Sequence, residues 1–496
     1  MVPPRANTAK VDQRAGVAAA LDRWRERDGP LAARLASALA RAIEVGELAP
    51  VARLPSERAL ARSLRVSRGT VAAAYAELRA RALVERRQGS GTRVRGRATA
   101  APAAPAAGLA RNPVFRSILE RGDEVAPGPI DLTVSRPGPP PEAVLDALAA
   151  ALDDLRALDD GLGYLPRGLP ALRTAIAARL TLEGVPTGAD QVLVTNGAQQ
   201  AIALLARLLV GAGDPMLIES PTYIGAIDAV AQAGGQLVGL DLLGSGSPGT
   251  LVARAADRSG ARLLYLTVPN TPTGALPCET WRRDLAAGAA RAGVAVIEDA
   301  TLAHLVLADP PPRPLAALRP GGDHLLVGSA SKLWWGGLRV GWVRAPVPLV
   351  EQLGRLRAVA DLGGALLPQA AVARLLAGTD EARTDRQVRL RAALETFASA
   401  LAAALPAWGL KRPDAGLSLW VALPSRQAEA IADAAGRHGV RVVAGTRFSP
   451  AGEHADRLRL QFVQPPEVVA EAVTRLAMAA VECAAPDAEP SSSSRR

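Results

Sequence analysis

The chain has 496 residues, 49% of them hydrophobic and 21% charged, with a formal net charge of +10. That is long enough for two or three folded domains and too apolar for a disordered chain, yet no apolar run approaches the ~18 residues needed to cross a bilayer. Two cysteines, Cys278 and Cys483, exclude a disulfide framework and match no zinc spacing; with no basic-then-apolar leader, the reading is a cytoplasmic protein with no metal site and no membrane partner.

Residues 1 to about 30 are polar and weakly patterned. Leu31, Leu35, Leu39 and Ile43 then recur at every fourth position, which predicts a helix ending near Gly46. The excess charge is concentrated here. Residues 31 to 97 hold 14 arginines against five glutamates, so nearly all of the net charge lies in this stretch. Such density suits a polyanion, because each neutralised phosphate releases a condensed counterion. Ser56 is placed to cap a helix running from Glu57, Arg65-Val66 forms a turn, and Ser67 caps the next helix. On that helix Val71, Tyr75 and Leu78 share one face, which leaves Ser67, Arg68 and Thr70 at the exposed end that reads base edges in helix-turn-helix proteins. Leu83 to Arg87 and Thr92 to Arg95, joined by Gln88-Gly89-Ser90-Gly91, predict a hairpin.

These residues resemble the winged helix-turn-helix of the GntR family. The resemblance rests on Leu54-Pro-Ser-Glu-Arg58, Val66-Ser-Arg68, Thr70-Val71, Ala74-Tyr75 and Gly89-Ser-Gly-Thr92. One departure is Pro50-Val51, where the family usually has Pro-Gly. The resemblance implies a double-stranded DNA operator as partner, contacted by Arg58, Ser67, Arg68 and Thr70, with Arg93 in the wing.

Residues 98 to 128 are rich in Ala, Pro and Gly and read as a linker, helical in part around Val114 to Leu119. From Ile130 onward apolar runs alternate with helix-length segments: Gln191 to Thr195, Pro215 to Glu219, Arg262 to Val268, Val294 to Glu298 and His324 to Gly328. That alternation predicts an α/β fold with a mostly parallel sheet covered on both faces. The tail from residue 484, ending in serines and arginines, reads as disordered. The expected organisation is therefore a DNA-binding domain at 1–97 (core 31–97), a linker at 98–128, an α/β domain at 129–483 and a tail at 484–496.

Several of these strands end in residues with a shared chemical use. Thr195-Asn196-Gly197-Ala198-Gln199 follows a strand and opens a helix, where backbone amides can meet a phosphate. Tyr223 and Asn270 each follow a strand end, and Asp299 closes a strand of apolar residues. Lys332 follows a small-residue turn, with Ser329 three residues before it and Arg339 seven after. A pyridoxal phosphate site requires these parts: a lysine for the aldehyde, an acid for the ring nitrogen, donors for the phosphate and a wall for the ring.

In this order the segments resemble the class I and II aminotransferases of fold type I, which implies a large domain with a mostly parallel sheet and a smaller C-terminal subdomain. Carried over residue by residue, the resemblance assigns Ala198, Gln199, Ser329 and Arg339 to the phosphate and Tyr223 to the ring face. Asn270 falls to the 3′ oxygen, Asp299 to the ring nitrogen and Lys332 to the Schiff base. Tyr164 is assigned to the neighbouring subunit's phosphate, and Arg459 to an effector carboxylate. One departure bears on activity. Ala300, Thr301 and Leu302 stand where transaminases often carry a tyrosine that bonds the 3′ oxygen. Trp334 and Trp335 are expected to narrow the pocket.

A GntR-like winged helix, a linker and an aminotransferase-like domain together resemble the MocR-type transcription regulators. The resemblance implies a homodimer whose C-terminal domain holds pyridoxal phosphate on Lys332 and senses a small amino compound or the cofactor itself. The alternative is a working aminotransferase tethered to a winged helix; the absent tyrosine favours sensing, and a residual transamination half-reaction stays open.

Overall fold

The computed structural model describes residues 30–44, 54–64, 66–80, 83–87, 91–94, 112–121, 128–135, 138–158, 162–307, 311–319 and 324–484. The chain divides into two units, Met1–Ala104 and Pro105–Arg496.

In the first unit helices span Leu31–Glu44, Glu57–Leu64 and Arg68–Ala80, followed by β1 (Val84–Arg87) and β2 (Gly91–Val94). The two strands pair antiparallel from Val84↔Val94 to Arg87↔Gly91. Leu35 and Leu39 of the expected stripe are fully buried and pack with Leu60, Val71, Ala74, Tyr75 and Leu78. Both expected caps form: Ala59 N donates to Ser56 Oγ at 3.3 Å, and Thr70 N donates to Ser67 Oγ at 3.1 Å. Two bonds tie the segment before the second helix to the rest of the unit. Leu54 N donates to Thr92 O at 2.9 Å, and the buried Tyr75 hydroxyl donates to Pro55 O at 2.8 Å.

In the second unit the chain is already helical at Pro113–Arg121, within the stretch expected as linker. Asn112 caps this helix by accepting from Val114 N at 3.0 Å, and its amide donates to Asp228. Ser117 Oγ donates to Asp131 Oδ2 at 2.6 Å on β3 (Ile130–Asp131). The Asn112–Asp228 and Ser117–Asp131 bonds fix the helix to the rest of the α/β unit.

The main sheet contains β4 (Val192–Thr195), β5 (Pro215–Glu219), β6 (Gln236–Leu240), β7 (Leu263–Thr267), β8 (Ala295–Asp299), β9 (His324–Ser329) and β10 (Gly341–Arg344). Its order is β4-β10-β9-β8-β7-β5-β6. All neighbours run parallel except β10, which is antiparallel to both β4 and β9. Every residue of β4, β7 and β9 is buried, as expected for strands covered on both faces. A second, antiparallel sheet has the order β11-β12-β15-β14, from β11 (Gly409–Leu410), β12 (Ser418–Ala422), β14 (Val443–Ala444) and β15 (Arg457–Gln461). The fold is thus the predicted one, with its smaller subdomain built from the C-terminal strands and from β13 (Val440–Arg441), which pairs parallel with β3.

Candidate functional site

Ligands of open α/β sheets bind beyond the carboxyl ends of the strands. Here those ends are Thr195, Glu219, Thr267, Asp299 and Ser329. The antiparallel β10 sets the spacing between two of them, because Gly341 pairs with Thr195 on one side and Ser329 on the other. A side chain at Gly341 would place its Cβ 2.5 Å from the carbonyl carbon of Gly197. Glycine at this position therefore lets the Thr195–Ala198 turn lie close beside the Ser329–Lys332 turn.

Gly197 has φ +81° and caps the helix Ala198–Leu209. A Cβ there would lie 2.8 Å from Arg339 Nη2, which donates to Asn196 O at 2.9 Å. An arginine thus stands over a helix N-terminus whose first amides are open, a combination suited to an anion. Gln199 turns away from this end to donate to Gly225 O at 3.0 Å, and its buried Oε1 has no partner. Tyr223 is half-buried beside it, close enough that a Cβ on Gly225 would meet both Gln199 Oε1 and the Tyr223 ring.

The turn is braced from behind. Asp361 accepts from Asn196 Nδ2 at 2.9 Å, Gln200 Nε2 at 2.7 Å and Arg357 Nε at 2.5 Å. Arg357, 1% exposed, also donates to Val194 O.

Asp299 is buried on β8, and its two carboxylate oxygens are held apart by separate donors. Thr301 N donates to Oδ1 at 2.9 Å and the Tyr265 hydroxyl to Oδ2 at 2.8 Å. Burial raises the Asp299 pKa, while the Thr301 and Tyr265 bonds and the charge of Lys332 oppose that rise. Lys332 Nζ donates to Ser135 O at 2.7 Å. Burial lowers its pKa to about 8, helped by the Arg459 and Arg339 charges and opposed by Asp299. Arg386 Nη2 donates to Leu333 O at 2.9 Å, which fixes the backbone just after the lysine.

Ser329 Oγ accepts from Ser331 N at 3.1 Å, and the buried Ser331 hydroxyl has no partner. Asn270 is buried, donating to Pro221 O at 3.0 Å and accepting from Thr273 Oγ1 at 2.6 Å. Arg459, 5% exposed on β15, donates to Thr133 O and Ser135 Oγ. Burial brings its pKa down to about 10. Tyr164 is 61% exposed.

Charge interactions tie Lys332, Asp299, Arg339, Arg459 and Tyr223 into one neighbourhood. The donor set fits pyridoxal phosphate: a depressed-pKa amine, a buried carboxylate, and a helix end with an arginine and a spare buried hydroxyl. Tyr265, Ser331, Ser135, Arg357 and Asp361 escaped the sequence reading. Only Ser331, two residues after Ser329 and next to the lysine, carried a sequence signal. The expectation that both tryptophans narrow the pocket is corrected for Trp334. That ring is 5% exposed and packs into the core, with Trp335 partly buried against it, because apolar neighbours lie on that side of the turn.

In the first unit Arg58, Ser67 and Arg68 are exposed and Thr70 is half-exposed. Ser67 Oγ and Thr70 Oγ1 lie 2.8 Å apart, so each hydroxyl is engaged at the helix start. Arg68 Nε bonds Glu57 Oε2 at 3.2 Å. The side chain of Arg93 and the hairpin tip at 88–90 lie outside the described residues, as do Pro50 and Val51. Among the described residues no helix is long and apolar enough to cross a membrane, and no group of acidic, His or Cys side chains is placed to hold a metal.

Comparison with known proteins agrees with this division. Residues 31–94 match the gntR family of bacterial regulatory proteins, and residues 129–476 match aminotransferase class I and II. The chain is 30% identical over 370 residues to YisV, an uncharacterized HTH-type transcriptional regulator of Bacillus subtilis, covering 72% of this chain and 76% of that one. It is 33% identical over 367 residues to the "Probable rhizopine catabolism regulatory protein MocR" of Rhizobium meliloti, covering 70% and 72%. Among solved structures, the α-aminoadipate aminotransferase LysN of Thermus thermophilus, complexed with N-(5'-phosphopyridoxyl)-L-leucine, superposes with a TM-score of 0.67. It is 27% identical and covers 76% of this chain and 96% of its own. The chain belongs to the aminotransferase class I and II family and carries a gntR-family winged helix-turn-helix ahead of that domain, as the MocR-type regulators do.

Proposed function

We propose that this chain is a homodimeric, cytoplasmic transcription regulator that holds pyridoxal phosphate on Lys332 and reports a small amino compound to its DNA-binding unit. One observation carries the reading. Lys332, its amine held by Ser135 O at 2.7 Å, shares a charge interaction with the buried carboxylate of Asp299, in a chain whose first unit matches the gntR family of bacterial regulatory proteins.

When bound, the cofactor supplies an aldehyde that condenses with an amine, releasing water. Lys332 would provide that amine, its buried setting favouring the neutral form. Asp299 holds a proton at the ring nitrogen, and Arg339 with the amides of Ala198 and Gln199 grips the phosphate. Tyr223 would wall the ring and Asn270 would serve its 3′ oxygen, with Ser329 and Ser331 beside the lysine. An effector amine would compete with the Lys332 amino group for the same aldehyde, and Arg459 would hold the effector's carboxylate. Tyr164, exposed in the single chain, reaches the partner subunit's phosphate. Arg58, Ser67, Arg68, Thr70 and Arg93 meet the operator. Effector binding changes operator affinity only to the extent that it favours one dimer state over another.

The test is operator affinity of the cofactor-loaded protein across a panel of amino acids and amines. At least one should shift it, and Lys332→Ala should abolish the shift. Identical affinity with every amine contradicts the reading. A second reading, turnover as an aminotransferase, is favoured by the 29% identity over 369 residues to the 2-aminoadipate transaminase of Thermus thermophilus. Steady keto-acid release would establish it.

A further inference from the structure

We propose that Tyr265 is a positioning residue for the cofactor's ring nitrogen, acting through Asp299. The inference rests on the cofactor reading above and concerns a residue outside the set assigned there.

Tyr265 lies on β7, two residues before Thr267, which pairs with Asp299 on β8. Strand alternation puts Tyr265 and Thr267 on the same face, so the phenol runs up the sheet beneath the carboxylate. Its hydroxyl donates to Asp299 Oδ2 at 2.8 Å, and the residue is 1% exposed. Thr301 N takes the other oxygen at 2.9 Å. With one donor on each oxygen, the carboxylate cannot swing, and lone pairs remain for a ring N–H.

The energetic need for such a donor is clear. A carboxylate this deep loses its water, and desolvation favours the neutral acid. A neutral Asp299 would not hold a proton on the ring nitrogen. Hydrogen bonds donated to the ionised form restore it, and those to a charged partner are the stronger kind. Charge interactions couple the carboxylate to Lys332, which favours its ionisation, and to Glu298 on the opposite face of β8 and Tyr223. Tyr223 and Glu219 are the further groups facing Tyr265. Burial and the neighbouring Asp299 charge keep the Tyr265 phenol protonated well above its usual range. It is therefore a fixed donor throughout the working pH range. The positions after the aspartate, where a tyrosine would serve the 3′ oxygen, are Ala300, Thr301 and Leu302. This chain's buried tyrosine reaches the carboxylate instead.

The experiment uses full-length protein loaded with pyridoxal phosphate and follows the visible band of the Lys332-bound cofactor against pH. The comparison is between wild type, Tyr265→Phe and Asp299→Asn. Loss of the phenol weakens the grip on the ring proton, which makes the lysine-linked nitrogen more basic. The midpoint should move upward by about one unit in Tyr265→Phe, with cofactor affinity about tenfold weaker. Asp299→Asn should move it further in the same direction. A packing role would lower the unfolding temperature of the cofactor-free protein and leave the midpoint in place. If the phenylalanine chain does not fold, 3-fluorotyrosine introduced at position 265 makes the phenol a stronger donor and should move the midpoint downward. A wild-type band with an unmoved midpoint in the folded variant overturns this inference alone. No band in the wild type overturns the cofactor reading and this inference with it.

Discussion

Ser135 bonds both cationic groups expected to meet an amino acid. Its carbonyl accepts from Lys332 Nζ at 2.7 Å, and its hydroxyl accepts from the Arg459 guanidinium. A carboxylate that meets Arg459 at Nη2 would compete with Ser135 for it. Ser135→Ala removes the hydroxyl competitor, a neutral acceptor worth about 1 kcal/mol. The affinity for a carboxylate-bearing amine should rise about fivefold, while that for an amine lacking a carboxylate stays constant. Titration of the cofactor band with matched amine pairs checks this; equal changes for both would remove Ser135 from the effector site.

In the proposed function Lys332 acts as the free amine, and its pKa of about 8 lies below the ordinary 10.5. The rate of cofactor capture should rise through pH 7 and level off above about 8. Stopped-flow absorbance measures it. A rate still climbing steeply at pH 10 would mean that the lysine is not desolvated.

Glu219 at the end of β5 accepts from Thr267 N and Thr267 Oγ1, both at 2.6 Å. Burial raises its pKa from 4.5 to about 8, and that of Glu298 from 4.5 to about 7. The folded protein therefore keeps protons that the unfolded chain has released. Their contribution to stability is full below about pH 4.5 and is lost as pH climbs to 7 or 8, at up to about 1.4 kcal/mol per pH unit for each group. Urea unfolding of the cofactor-free protein should show this fall. Glu219→Gln, which keeps the acceptor oxygen, should flatten it; an unchanged slope would mean that Glu219 is ionised in the folded state.

Gly197 combines a positive φ with contact to Arg339. Gly197→Ala should cost about 1 kcal/mol of folding stability and weaken the cofactor by at least about tenfold, because Arg339 must give way. Isothermal titration and thermal unfolding separate the two. Full affinity would show that the turn tolerates a side chain and does not meet the phosphate.

In the DNA-binding unit Arg68 is held by Glu57 across the turn at 3.2 Å, with 60% of its side chain exposed. So exposed a pair contributes little to stability. Arg68→Ala should cost about 1–3 kcal/mol of operator binding and relax specificity at one base position. Selection from a randomised operator pool measures this, and an unchanged preference would remove Arg68 from the reading set.

What the sequence made legible was local or periodic. Ser56 and Ser67 announced two helix starts because a capping hydroxyl acts within three residues. Thr195, Asp299 and Ser329 were visible because apolar strands end where the chain turns polar. The partners of those residues were not legible. Ser135 stands 197 residues from Lys332, and Tyr265 reaches Asp299 from a neighbouring strand whose register only the folded sheet defines. The reversal of β10 was hidden too: a four-residue strand between turns reads the same in either direction. Trp334 was misplaced because spacing in sequence does not say which side of a turn meets the core.

The central claim is that Lys332 carries the cofactor. The most direct measurement is an absorption spectrum of protein incubated with pyridoxal phosphate, before and after borohydride, followed by peptide mapping of the reduced protein. The account predicts a visible band, its loss on reduction and a stable adduct on the peptide containing Lys332, with none in Lys332→Ala. No band with excess cofactor, or an adduct on another lysine, would contradict it.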